Sequence, residues 1–439
     1  MWSIAAMSRF TSSRVILRRS WSSLLFMSTI LFLKTEVVNG NENVDVANGH
    51  VQGMIEWLRS TEHGYFSEKL EIRRANPEDQ ESYFGLFASS DIEEDEFLMQ
   101  VTQEMIISVE DTGEYFDNVC NLKEKLMEEA ELGDKSEYAL YMNYLKTQKP
   151  GQIPLNYSPE GKKLLSAIGG MSPWIDKDGD VKYFPMLPPK GLLDFREMEC
   201  IESSEERNML ELVIQRGFDL VMIPVYDMIN HKNGAVNVET TSIRNKEGFQ
   251  VNALRSIQAG EEIFITYDRC DDCSGVEDSW GTPEIFRDFG FVESYPQRWH
   301  FVNQGISFDL EEITEDDDTT EAGTILELDW IYDSPADTVS KFLWLEYQKK
   351  RLQKVGNAEI MDAKKIKQNA IPKQELDNIL QFYIQLSEAI SMAYDAAKEN
   401  VYCDGYPCEI RTNRKADETN KRRKPPSWAK GLDVDAYQL

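Results

Sequence analysis

The chain has 439 residues, of which 41% are hydrophobic and 28% charged, a balance that lets it bury more than one core and excludes wholesale disorder. Its 77 acidic residues outnumber 47 basic ones, and the resulting net charge of -30 repels nucleic-acid phosphates and favours solubility and cationic partners. Six cysteines are too sparse for a disulfide scaffold, and four histidines too few for a histidine-rich metal site.

Residues 1–40 read as a targeting leader. Arg9, Arg14, Arg18, Arg19 and Lys34 precede the first acidic residue, and the apolar run 24–33 is far short of the ~20 residues needed to cross a bilayer, so no stable membrane span is expected. A secretory signal peptide ending near Gly40 is the expectation; the Arg- and Ser-rich composition leaves plastid or mitochondrial import as the alternative. A polar linker follows at 39–49, and a short helix opens at Met54 with Trp57 and Leu58 as its anchors.

Short strands are expected at 70–72, 84–88, 96–101 and 105–107. From 118 to 149 the pattern turns helical, with Val119, Leu122, Leu126 and Ala130 on one face, so a helical insertion around 115–200 interrupts a unit spanning 54–305. A helix over 204–218 delivers the apolar segment 220–225, where Pro224 favours a short extended or turn-like piece over a central strand. Strands follow at 236–239, 249–253 and 262–267. In the last, Ile263, Ile265 and Tyr267 share a face, which sends the phenol towards apolar surroundings. The acidic run 310–321 reads as a solvated loop and a boundary. Beyond it, Leu376, Ile379, Leu380, Tyr383, Leu386 and Ile390 line one helix face, and Val339, Phe342, Leu343 and Leu352 a partner helix, giving a helical unit over 325–400 before a polar tail at 401–439.

Four segments in order carry a resemblance: Phe84-Gly85-Leu86-Phe87-Ala88; the region of Arg216; Asp227-Met228-Ile229-Asn230-His231; and Gly260 to Tyr267 followed by Phe289-Gly290-Phe291-Val292-Glu293. Together they resemble the SET-domain methyltransferases, in the class that includes the Rubisco large-subunit lysine methyltransferase and the actin-histidine methyltransferase. The resemblance implies an α+β chain with a β-rich SET fold of small sheets, a helical insertion and a small helical C-terminal unit. It also implies S-adenosyl-L-methionine as cofactor and a protein substrate, with lysine the expected acceptor; histidine methylation, or a SET-like binding module without turnover, are the alternatives. Residue by residue, Asn230 and His231 would hold the cofactor through backbone and side chains, Arg216 and Asp227 would contribute to the same pocket, and the Phe84-Gly85 loop would close over it. Tyr267 would be the catalytic tyrosine that orients the acceptor nitrogen. The chain departs from the family at Tyr83, where a glycine is usual, and at Phe289, where tyrosine is common. The resemblance implies no metal site and leaves oligomeric state open.

Cys270 with Cys273, and Cys403 with Cys408, could form two local disulfides or together supply four thiolates to one zinc. Asn156-Tyr157-Ser158 is the N-glycosylation sequon of the chain, in a polar stretch expected to be exposed.

Overall fold

Helix α1 (Val46–Ser60) buries Val51, Met54, Ile55 and Leu58, a stripe at three- and four-residue spacing. It begins inside the expected linker, because Ala47 packs on the same core and prolongs the stripe towards the N-terminus. This computed structural model describes residues 15–17, 46–79, 82–112, 115–175, 181–185, 200–218, 221–243, 248–267, 281–301, 304–314, 324–331, 339–360, 371–402 and 409–410. The expected leader apart from 15–17, most of the expected tail, and Cys270, Cys273, Cys403 and Cys408 lie outside them.

The remaining elements run in chain order. A short edge strand β1 (Val15–Leu17) precedes α1, and β2 (Tyr65–Phe66), β3 (Leu70–Arg74), β4 (Phe84–Ala88) and β5 (Phe97–Val101) follow it. Then come α2 (Tyr115–Leu132), α3 (Ala139–Leu145), α4 (Pro159–Gly169), β6 (Met171–Ile175), β7 (Val181–Pro185) and α5 (Ser204–Arg216). The segment that positions the site contains β8 (Gly217–Phe218), β9 (Val221–Met222), β10 (Asn230–His231), β11 (Val238–Ile243), β12 (Gly248–Ala253) and β13 (Phe264–Ile265). The last part holds α6 (Thr282–Phe289), β14 (Gln297–Phe301), β15 (Ile306–Thr314), β16 (Thr324–Trp330), α7 (Val339–Val355), α8 (Lys373–Asn400), β17 (Val401–Tyr402) and β18 (Glu409–Ile410). The chain is α+β with several small sheets, as the motifs implied.

Two apolar cores organise it. The first gathers α1, α2, α3 and α5 around the antiparallel sheet β11-β12-β5-β2 and the hairpin β3-β4. The second is built from the sheet β1-β16-β15-β14 and the helices α4, α7 and α8, with Trp299, Phe301, Phe308 and Phe382 fully buried. The helical insertion is thus shared. Helices α2 and α3 lie on the first core, whereas α4 is fastened to the second by Arg351, which donates to the carbonyls of Ala167 and Ile168 at 2.7 Å, and by Glu375, which accepts from the Ser158 hydroxyl at 2.8 Å.

The acidic run does not begin as a loop. Glu311 and Glu312 lie in β15, because Ile306, Phe308 and Leu310 pack inward and the neighbouring Asp309 is neutralised by Arg298 through two bonds of 2.9 and 3.0 Å. The rest of the run, Glu315, Asp316, Asp317, Asp318 and Glu321, falls outside the described residues.

The sequon is also not free. Glu211 accepts from the backbone of Gly151 and Gln152 at 2.8 and 2.6 Å and from the Asn156 amide, the Asn156 oxygen is buried, and Tyr157 is 3% exposed. A polar sequence hid a turn assembled around a buried carboxylate. Asn156 is expected to stay unmodified in the folded protein, so glycosidase treatment should leave the mass unchanged; a loss of one glycan would show that this turn opens before modification.

Glu284, in the first turn of α6, is buried, and burial pushes its carboxyl from 4.5 up to about 7. The fold therefore prefers the protonated form. Its contribution is fully present below about 4.5, the unfolded value, and is lost as pH rises through about 7. Glu284→Gln is expected to stabilise the protein at pH 8 by on the order of 1–3 kcal/mol and to do little at pH 4. Denaturation midpoints of the two proteins at both pH values check this; an equal gain at both would assign the effect to packing.

Candidate active site

Tyr267 follows β13, and β13 runs parallel to β10, pairing Asn230 with Phe264 and His231 with Ile265. This pairing brings together two segments more than thirty residues apart. The Tyr267 hydroxyl donates to the Ile229 carbonyl at 2.9 Å, and its backbone N–H donates to His231 Nδ1 at 3.0 Å. His231 Nδ1 is therefore an acceptor, so Nε2 carries the proton and donates to Glu293 at 2.9 Å. Asn233 also donates to Glu293 at 2.9 Å, and Thr282 adds a short third bond. Both nitrogens of the buried His231 ring are thus occupied by protein, and any contact of His231 with a ligand falls to its backbone.

Around the phenol, ring centroids lie at 4.6 Å for Phe289 and 5.2 Å for His231, with Phe291 at 5.9 Å from His231. Burial raises the Tyr267 hydroxyl well above its ordinary range, and the charge of Arg216 lowers it in part. The phenol is a neutral donor at any physiological pH.

Arg216, at the last turn of α5, reaches Asp227 at 3.0 Å, the Tyr144 hydroxyl at 3.1 Å and Gln148 at 3.0 Å. Asp227 accepts a further bond of 2.8 Å from Tyr141. Tyr141 and Tyr144 come from α3, three residues apart and hence on one helix face. Burial raises the Asp227 carboxyl against the pull of Arg216, and Tyr141 Oη is pushed up by the same burial. One oxygen of Asp227, Oδ1, is buried with no hydrogen-bond partner among the described residues.

Phe84 and Gly85 stand in β4, a fully buried strand, and not in a loop. Phe84 meets Tyr144 edge to face at 6.2 Å, and the Arg74 guanidinium lies over the Phe84 ring at 4.3 Å. The Phe84 carbonyl accepts from Asn230 Nδ2 at 2.9 Å, and Glu262 Oε1 accepts from the same nitrogen at 2.8 Å. Asn230, Phe84, Arg216 and Asp227 therefore join one continuous band, and the charges of Arg216, Asp227 and Glu262 all reach Tyr267. Sequence reading missed Tyr141, Tyr144, Gln148, Glu262 and Glu293. Glu293 ended a segment already singled out, and Glu262 opened the strand that carries Tyr267; the two tyrosines had only their three-residue spacing to signal them.

Residues 83–268 match the family described as SET domain. Among curated proteins, the chain is 25% identical over 282 residues to a chloroplastic [fructose-bisphosphate aldolase]-lysine N-methyltransferase of Arabidopsis thaliana, covering 57% of this chain and 53% of the relative. The chain thus spans about half the length of that relative. Among solved structures, the SET domain of LSMT bound to lysine and AdoHcy aligns at 13% identity and a TM-score of 0.47, over 80% of this chain and 92% of that one. Rubisco LSMT bound to sinefungin and monomethyllysine aligns at 15% identity and a TM-score of 0.42, over 80% and 93%.

Proposed function

From the premise of a SET domain at residues 83–268, we propose that this chain is an S-adenosylmethionine-dependent protein N-methyltransferase that acts on lysine. The observation that carries the proposal is the half-buried Tyr267 hydroxyl, fixed on the Ile229 carbonyl and walled by Phe289 and His231, next to a band of polar groups that includes an unpartnered buried acceptor. The name of the plant relative supports lysine as the acceptor and a protein as the partner. The unit boundaries that go with this reading are a SET domain over 54–305 with its insertion at 115–200, and a helical unit over 325–400.

The residues present fit the cofactor. Asp227 Oδ1 is a buried acceptor without a donor, and the ammonium, ribose hydroxyls and adenine amine of S-adenosylmethionine are donors. Asp227, Asn230, the backbone at His231, and Arg216 with Phe84 and Gly85 beside them, would hold it. When bound, it supplies a methyl group on a cationic sulfur. The chain's own work is alignment and exclusion of water. The hydroxyl hydrogen of Tyr267 is committed to Ile229, which leaves the phenol lone pairs to accept an N–H from the substrate amine. Methyl transfer needs the neutral amine, the form with a free lone pair, and the rings of Phe289 and Phe291 beside the phenol help to exclude water from it.

A disulfide between Cys120 and Cys200 supports folding in an oxidising lumen, and with the leader favours entry into the secretory pathway. Removing a leader would take β1 from the edge of its sheet and leave the other three strands paired. The chloroplastic relative supports plastid import as the second reading. N-terminal sequencing distinguishes them: a start near Asn41 supports secretion. Among the described residues no helix is long and apolar enough to cross a membrane.

Calorimetry with S-adenosylmethionine and its demethylated product, followed by transfer of a labelled methyl group to lysate proteins, tests the activity. Absence of binding by both compounds would overturn it, and label recovered on histidine would move the acceptor assignment.

A further inference from the structure

We propose that Glu262 is a positioning residue for the cofactor, holding the Asn230 amide so that its oxygen is presented to the ligand; this rests on the methyltransferase reading above. The two groups around Asn230 Nδ2, the Phe84 carbonyl at 2.9 Å and Glu262 Oε1 at 2.8 Å, are both acceptors. The amino end of the amide must therefore face them, and the planar group turns Oδ1 to the other side. No described residue donates to that oxygen.

Glu262 is itself held in place. Its second carboxylate oxygen lies 3.3 Å from the Tyr83 hydroxyl, its carbonyl accepts from Asn237 at 2.9 Å, and its backbone bridges to Phe87. Tyr83 is 58% exposed, so this brace reaches in from the surface. Gly85 belongs to the same device: a Cβ there would lie 2.4 Å from Glu262 Oε1 and 2.9 Å from Asn230 Nδ2. The glycine is required by an internal carboxylate. Tyr83, the departure from the family pattern, acquires a role as its outer partner.

The test uses the full chain and S-adenosylhomocysteine, with calorimetric Kd and thermal midpoint for each variant. Glu262→Ala is expected to raise Kd about tenfold or more, since about 1.4 kcal/mol of lost orientation is a factor of ten. Glu262→Gln keeps an oxygen for Asn230 and is expected to stay within about threefold of the native chain. Tyr83→Phe, a surface change that leaves the fold intact, is expected to raise Kd about twofold to fivefold. A purely structural role would move the midpoints without this rescue by glutamine. Native-like Kd in both Glu262→Ala and Tyr83→Phe, or a glutamine variant as weak as the alanine one, overturns the inference alone. A native chain that binds neither the cofactor nor its product overturns the methyltransferase reading and this inference with it.

Discussion

Tyr267→Phe is expected to lower methyl transfer by about 10²- to 10⁴-fold, the range over which a single positioned polar group acts on a transition state. The ring keeps its volume against Phe289 and His231, so packing is conserved. What is lost is the hydroxyl that bonds to Ile229, together with the lone pairs that would meet the substrate amine. Leaving the Ile229 carbonyl without its donor costs about 1 kcal/mol of stability, too little to unfold the chain. The His231 ring is unaffected, because it is held by the Tyr267 backbone and by Glu293. Cofactor affinity should therefore remain within about threefold of native while single-turnover methyl transfer collapses. Retention of native turnover would make Tyr267 a packing residue, and its hydroxyl would then carry no function.

Much of the candidate site is legible along the chain because its residues cluster in short strings. Asp227 to His231 runs from a helical turn into β10, Gly260 to Tyr267 runs from a turn through β13, and the pairing of these two strands sets Tyr267 against Ile229 and His231. The partners that complete the site come from far away in sequence. Glu293 is 62 residues from His231, Tyr141 is 86 from Asp227, and Tyr83 is 179 from Glu262. Glu293, Glu262 and Tyr83 stand in or beside segments the sequence already singles out, but nothing local says whom they pair with, and a helix tyrosine such as Tyr141 is read as core until the fold closes. The same reason hid the start of the acidic run. Glu311 and Glu312 obey the charge pattern of a loop, yet the alternation of Ile306, Phe308 and Leu310 and the pairing of Asp309 with Arg298 make them part of a strand. Helix faces, by contrast, were plain: Val119, Leu122 and Leu126 in α2, and Ile379, Leu386 and Ile390 in α8, are buried at the spacing they show in the sequence.

Replacing both Cys120 and Cys200 by serine is expected to destabilise the protein by about 4 kcal/mol, a large share of the roughly 5–15 kcal/mol typical of a native protein. The bond closes a sequence separation of 80 residues, and long loops gain most from closure because the open denatured chain has the most freedom to lose. The native side changes less. Lys123, buried in α2, still donates to the Cys200 carbonyl at 2.6 Å, so the start of α5 stays attached to α2 without the sulfurs. The effect should therefore appear chiefly in the denatured state: a lower urea midpoint together with a steeper slope, since an uncrosslinked chain exposes more surface on unfolding. The closed loop contains Tyr141, Tyr144 and Gln148, while Arg216 lies beyond it on α5. If the loss came from the native state, those contacts would loosen first and cofactor affinity would fall in step with stability. An unchanged slope with a matching loss of affinity would thus refute the denatured-state account and make the disulfide a clamp on the site itself.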